Sequence, residues 1–203
     1  MKIALIVEGK TEKAFVPVLR DFLRTRLETM PRLDTLPYDG RIPTREKLKR
    51  LVHNLLSGAN AADYVIALTD VYTGSHPPDF QTADDAEFRM RQWVGEEKRF
   101  YPHAAQYDFE AWLLPYWQTI QRLAKHNSSC PQGNPECVNH SKPPSQHIKQ
   151  IFELGKCRDS YVKPRDALRI LRENDISVAV RQCSELRALV NTILTLCGGE
   201  EIQ

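Results

Sequence analysis

Two periods govern the hydrophobic and polar positions of this chain. Ile3-Ala4-Leu5-Ile6-Val7 is an unbroken apolar run, short and partly β-branched, and it predicts a strand over residues 2–7 buried on both faces. Residues 64–69 and 101–107 predict two further strands, and 33–38 a weaker fourth. Between them the spacing turns helical. Phe15, Val18, Leu19, Phe22 and Leu23 share one face, with Pro17 delaying or bending the regular helix, and residues 44–56 and 84–98 predict two more helices. The order β-α-β-α-β-α-β predicts an α/β fold, a mostly parallel four-stranded central sheet flanked by helices. In such sheets functional groups collect at the strand carboxyl ends.

After Ala111-Trp112-Leu113-Leu114 no strand pattern recurs, which predicts a helical C-terminal extension. Its clearest member spans 184–197, where Leu186, Leu189, Val190, Ile193 and Leu194 form an apolar stripe for core packing and Gly198-Gly199 ends the helix. We therefore expect a single domain over 1–203, with an α/β core at 1–116 and the extension at 117–203. A polar loop at 127–145 is long for a compact domain.

The 203 residues, 41% apolar and 27% charged, suit one sizeable core. No window approaches the ~20 apolar residues that cross a bilayer, so no membrane partner is expected. The opening apolar run is too short for a secretory segment and meets Glu8 where a cleavage site would stand, so the expected location is cytoplasmic. A net charge of +2 does not by itself imply nucleic acid. Arg41, Arg45 and Lys49 recur every four residues, as on one helical face, and read as a solvated charge row. Five unevenly spaced cysteines argue against a disulfide framework.

Candidate chemistry lies at the strand ends. Glu8 ends the first strand and Asp70 the run Val65-Ile66-Ala67-Leu68-Thr69, so parallel neighbours would bring both carboxylates to one edge. Singly, each would serve as a capping or loop carboxylate; together they suit a shared Mg²⁺ or Mn²⁺, ions that take hard oxygen ligands. Glu12 stands one turn beyond Glu8 and either joins the same ion or complements the helix dipole. Asp108 and Glu110, two apart at the end of the fourth strand, form a second pair, with helix capping as the competing role of Asp108. Lys10, Lys142 and Lys163 are candidate cations for a phosphate. In the long loop, His126, Cys130, Cys137 and His140 are possible ligands of a structural Zn²⁺, although the tight Cys-x-x-Cys knuckle is missing.

Val7-Glu8-Gly9-Lys10-Thr11-Glu12, Leu68-Thr69-Asp70-Val71-Tyr72 and Tyr107-Asp108-Phe109-Glu110-Ala111-Trp112-Leu113-Leu114 resemble the TOPRIM superfamily. More narrowly, they resemble a stand-alone prokaryotic branch similar to the nuclease domain of OLD-family proteins. The resemblance covers roughly the first 115 residues, and Ser141-Lys142-Pro143-Pro144-Ser145 is similar to a further segment of that branch. It implies a TOPRIM-like, Rossmann-like fold and metal-dependent phosphodiester hydrolysis on DNA or RNA. Glu8, Glu12 and Asp70 would be the catalytic ligands, and the setting a prokaryotic defence or DNA-processing system with an ABC- or SMC-like ATPase partner. A homo-oligomer is compatible with it. The chain departs from the pattern at Tyr72, where a second aspartate is expected; Asp108 and Glu110 would then have to supply a second ion ~4 Å from the first.

Two other functions compete with the nuclease. A non-catalytic nucleic-acid-binding or ATPase-adaptor module would keep the fold while Tyr72 has cost it a metal. A small phosphohydrolase is suggested by Gly9-Lys10-Thr11, which lacks the other glycine of a phosphate-binding loop.

Overall fold

The four apolar runs form strands β1 (Lys2–Val7), β2 (Arg32–Pro37), β3 (Tyr64–Asp70) and β4 (Phe100–Ala105) of one sheet, ordered β2-β1-β3-β4. These come from a computed structural model that describes residues 1–38, 40–73, 78–156 and 160–203. All three neighbouring pairs are parallel, so the sheet expected to be mostly parallel is wholly so. The central strands β1 and β3 are the continuous apolar runs, whereas edge strand β2 carries Asp34 and Thr35 and ends at Pro37. Parallel pairing requires crossovers, which α1 (Lys10–Arg24), α2 (Glu46–Leu55) and α3 (Ala83–Val94) supply.

Side chains alternate between the two faces of the sheet. Ile3, Leu5 and Val7 of β1 join Ile66 and Leu68 of β3 beneath α1 and the later helices. Ala4 and Ile6 join Val65 and Ala67 beneath α2 and α3, where Leu48, Val52 and Met90 close that layer. After β4 the chain makes a 3-10 segment, Phe109–Tyr116, and then α4 (Trp117–Ala124), a 3-10 turn Pro135–Cys137, α5 (Pro144–Leu154), α6 (Lys163–Arg172), α7 (Ile176–Gln182) and α8 (Ser184–Leu196). All five residues of the expected α8 stripe are buried, and Gly198 ends the helix with φ 73°, a conformation suited to glycine.

The polar stretch 127–145 is ordered by hydrogen bonds. Buried Glu136 accepts from Trp112 Nε1 at 3.0 Å, from Ser184 Oγ at 2.8 Å and from the Glu185 amide at 3.1 Å, tying the loop to the start of α8. Ser128 O accepts from Trp117 Nε1 at 2.8 Å and Gln121 Nε2 at 2.9 Å.

Three local expectations need correction. The first helix starts at Lys10, ahead of Pro17, which sits on its exposed side, where the carbonyl left without an N–H partner meets water. The second helix starts at Glu46, because Arg45 takes φ 51° and interrupts the helical turn, so Arg41 and Arg45 do not share a helical face with Lys49. Arg41 pairs with Asp79 instead. Finally, β4 ends at Ala105, so Asp108 and Glu110 lie at the start of the 3-10 segment and not on a strand.

Candidate functional site

Strand β1 delivers Glu8 to the carboxyl edge of the sheet, and extended Gly9 turns the chain into α1, whose first turn carries Glu12. Both glutamates are buried. Tyr38 N donates to Val7 O at 2.8 Å and Gly40 N to Glu8 O at 3.2 Å, fastening the exit of β2 against this turn. Strand β3 ends at Asp70, and the hydroxyl of Thr69 donates to Glu8 Oε1. Asp108 and Glu110 enter from the 3-10 segment. The first residue of α6, Lys163, reaches back so that its Nζ stands 3.0 Å from Glu110 Oε2, while the Tyr161 hydroxyl donates to Glu110 Oε1 at 3.2 Å.

Glu8, Glu12, Asp70, Glu110, Lys10 and Lys163 line one cavity of about 160 Å³. A larger cavity, about 490 Å³, lies between the end of α1 and α7 and contains none of the expected acidic residues. Chemistry rather than size marks the smaller one. Burial, then the charge of Glu12, raises the Glu8 carboxyl to about 7, against the opposing hydrogen bond from Thr69. Burial and the charge of Glu110 raise Glu12. Burial raises Asp70 well above the carboxylate range, and Glu8, Glu12, Asp108 and Glu110 all add to it, so that one residue feels the other four. Asp108 rises to about 7 through burial and the charge of Glu110. Burial opposes the charge of Lys163, yet Glu110, Asp108 and Asp70 together hold it protonated.

Five carboxylates thus crowd together, with the ammonium group of Lys163 paired to Glu110 and that of Lys10 also in the cavity lining. Asp108 Oδ2 accepts from the Ser145 amide at 3.2 Å, while its buried Oδ1 has no hydrogen-bond partner among the described residues. An excess of buried, repelling oxygen donors with one oxygen unpartnered fits a hard divalent cation such as Mg²⁺ or Mn²⁺. Among the described residues no three His, Cys, Asp or Glu side chains stand as a ready-made metal-binding group, so the fit rests on the donor chemistry of the cleft.

Other expected residues fall elsewhere. Lys142 contacts Gln150, away from the lining of the cleft. Tyr72 is 40% exposed, its ring 5.3 Å from that of Tyr107, and its hydroxyl accepts from Asn139 Nδ2 at 2.7 Å. The four loop residues do not assemble: His126 Nδ1 faces Ser128, His140 Nε2 faces Gln132 O, and Cys130 and Cys137 are exposed free thiols. Thr69, Tyr161 and the Ser145 amide were not anticipated. Thr69, next to Asp70, and Ser145, which ends the segment Ser141-Lys142-Pro143-Pro144-Ser145, lay within motifs that the sequence singled out; Tyr161 carried no signal.

The architecture and the site define an open, parallel α/β protein with an acidic cleft at the carboxyl edge of its sheet. The chain belongs to the family of the domain of unknown function DUF4276, whose model matches residues 7–194. Its fold is similar to the C-terminal region of the Burkholderia pseudomallei OLD protein, with TM-score 0.54 and 12% identity over 97% of this chain and 98% of that one. The C-terminal region of the Xanthomonas campestris pv. campestris OLD protein aligns with TM-score 0.47 and 14% identity over 96% of each chain. No curated protein matches.

Proposed function

We propose that this protein is a metal-dependent nuclease of TOPRIM type that hydrolyses phosphodiester bonds of DNA or RNA. Glu8, Glu12 and Asp70 would be its catalytic residues, and Asp108 and Glu110 would complete the ligand set for Mg²⁺ or Mn²⁺. The observation that carries this reading is the convergence on Asp70 of four further carboxylate charges from separate parts of the chain. When bound, the ion supplies charge neutralisation and an acidified water, the two needs of phosphodiester hydrolysis. Thr69 orients Glu8 by its hydrogen bond. Glu110 positions Lys163, whose protonated amine would balance, with Lys10 of the same lining, the charge that develops on phosphate.

The sequence resemblance supports a cytoplasmic role in prokaryotic defence or DNA processing. By the same sequence resemblance, an ABC- or SMC-like ATPase acting in trans belongs to the proposal. The test is cleavage of single- and double-stranded DNA and of RNA with Mg²⁺ or Mn²⁺, with and without such a partner. Loss of cleavage in both Glu8→Ala and Asp70→Ala is expected. Cleavage that persists in both variants refutes the site.

One observation favours the non-catalytic alternative: both oxygens of Glu110 are already engaged, by Tyr161 and Lys163. Metal-independent nucleic-acid binding, unaltered by Glu8→Ala, would identify the protein as a binding or adaptor module.

A further inference from the structure

The β3–β4 pairing continues past the carboxylate that ends β3. Val71 N donates to Ala105 O at 3.1 Å and Tyr72 N donates to Tyr107 O at 2.8 Å. These bonds set two tyrosines side by side, with ring centroids 5.3 Å apart and planes inclined at 45°. Tyr107 takes φ 67°, a left-handed conformation that strains an aromatic residue, and the next residue is Asp108 of the acidic cluster. The same strained turn therefore aligns a ring with Tyr72 and sends a carboxylate inward. Tyr72 lies two residues beyond Asp70 and is 40% exposed, in contrast to Val71 before it, which is fully buried. Its hydroxyl accepts a hydrogen bond from Asn139 of the long loop.

The contacts of Tyr72 with Tyr107 and Asn139 fix the ring yet leave the residue 40% exposed. A large aromatic surface pinned by a backbone hydrogen bond, a second ring and a side-chain donor loses little conformational freedom when something covers it. Duplex nucleic acid offers grooves and phosphates to such a ring, whereas an unpaired base offers a free π-face. We propose that Tyr72, backed by Tyr107 and steadied by Asn139, stacks an unpaired nucleobase beside the acidic cleft, so that this edge of the molecule selects single-stranded DNA or RNA. The inference deepens the nuclease reading by naming the strandedness of its substrate.

The test is binding, measured apart from cleavage, in buffer with calcium in place of magnesium. The probes are a short single-stranded oligonucleotide carrying 2-aminopurine and the duplex of the same sequence. Wild-type protein should bind the single strand more tightly and quench the 2-aminopurine fluorescence by stacking. Tyr72→Ala should weaken single-strand binding by about 5- to 150-fold, the range for one stacked base, abolish the quench and leave duplex binding unchanged. Tyr72→Phe keeps the ring, loses only the Asn139 hydrogen bond, and should stay within about fivefold of wild type with the quench retained. Circular dichroism confirms folding of each variant. Equal wild-type affinity for the two probes, no measurable single-strand binding, or single-strand binding and quenching by Tyr72→Ala at wild-type level overturns the proposal. Glu8-dependent cleavage with binding insensitive to Tyr72 leaves the nuclease and removes the platform; Tyr72-dependent binding without cleavage does the reverse.

Discussion

Glu8→Gln should stabilise the metal-free protein while blunting its response to divalent ions. Glu8 is 7% exposed, and burial followed by the charge of Glu12 lifts its carboxyl from 4.5 to about 7. A carboxyl whose folded pKa lies above its unfolded value carries more proton in the folded state. Stability is then greatest below about pH 4.5 and falls as pH rises through the window to about 7. At about 1.4 kcal/mol for each tenfold change in the acid constant, the ionised side chain costs on the order of 3 kcal/mol above that window. This is a ceiling, because the neighbouring carboxylates take up part of the shared repulsion by protonating. Glutamine retains an oxygen for the Thr69 hydroxyl and discards the charge. Each kcal/mol moves the melting temperature by roughly 2–4 °C in a chain of this size, so half the ceiling is a gain of roughly 3–6 °C at about pH 8 in chelator. Calorimetry at about pH 4 should find the gap closed, since the wild-type carboxyl is then protonated as well. Added Mg²⁺ at the higher pH should raise the melting temperature of wild type by more than that of the variant. A variant that melts below wild type at high pH, or a gap of equal size at both pH values, refutes the assignment of repulsion to this residue.

Lys163→Met leaves fully buried Glu110 without its cation. The lysine is itself half exposed, so the expected cost in urea unfolding is about 1–3 kcal/mol, below that of breaking a fully buried pair, and adding Glu110→Gln should recover part of it. No loss in the single variant would show that solvent already serves Glu110. Glu136→Ala removes the shared acceptor of Trp112, Ser184 and the Glu185 amide, with an expected cost of about 3–5 kcal/mol. Faster hydrogen exchange should concentrate in 127–145 and the first turn of α8, and unchanged protection there would contradict the anchoring role of Glu136.

The half of the site built by the sheet was legible, because β1 and β3 are apolar runs that stop at Glu8 and Asp70, and parallel pairing then fixes where those residues emerge. Edge strand β2 was fainter for a physical reason: one side of it has no neighbour, so Asp34 and Thr35 interrupt its apolar pattern. The start of α2 was misread because φ 51° at Arg45 is a conformation that no arginine propensity assigns. Asp108 and Glu110 were found for a reason that fails, strand alternation, since they are carried by a 3-10 segment. Lys163 stood among three candidate cations with nothing local to single it out or to pair it with Glu110, and Tyr161 was beyond local reading altogether. Their contacts with Glu110 span 53 and 51 residues of chain, and the packing of α6 against α1 and against the 3-10 segment brings them back. His126, Cys130, Cys137 and His140 show the opposite failure, suitable donors that nothing in the fold gathers.

The helices after residue 116 are part of the site's foundation, which can be tested by cutting there. The layer beneath α2 and α3 is complete within the first 116 residues, down to Met90 and Phe100. The opposite layer is not. Leu5, Val7, Phe15 and Trp112 share one buried cluster with Ile148, Phe152, Ile170 and Ile193, which lie in α5, α6 and α8. Each such side chain contributes about 1.5–3 kcal/mol by burial, and a domain's whole stability is on the order of 5–15 kcal/mol. Stripping one face of the sheet therefore exceeds what the other face can offset. Residues 1–116 alone should lack a cooperative thermal transition and dispersed amide resonances, and co-expression with 117–203 should restore both. The same dependence explains how α6 can hold Lys163 against Glu110 while five carboxylates repel: the apolar layer that anchors α6 is continuous with the layer under β1 and β3. A fragment 1–116 that folds cooperatively by itself would break that link and leave the acidic cleft resting on the sheet alone.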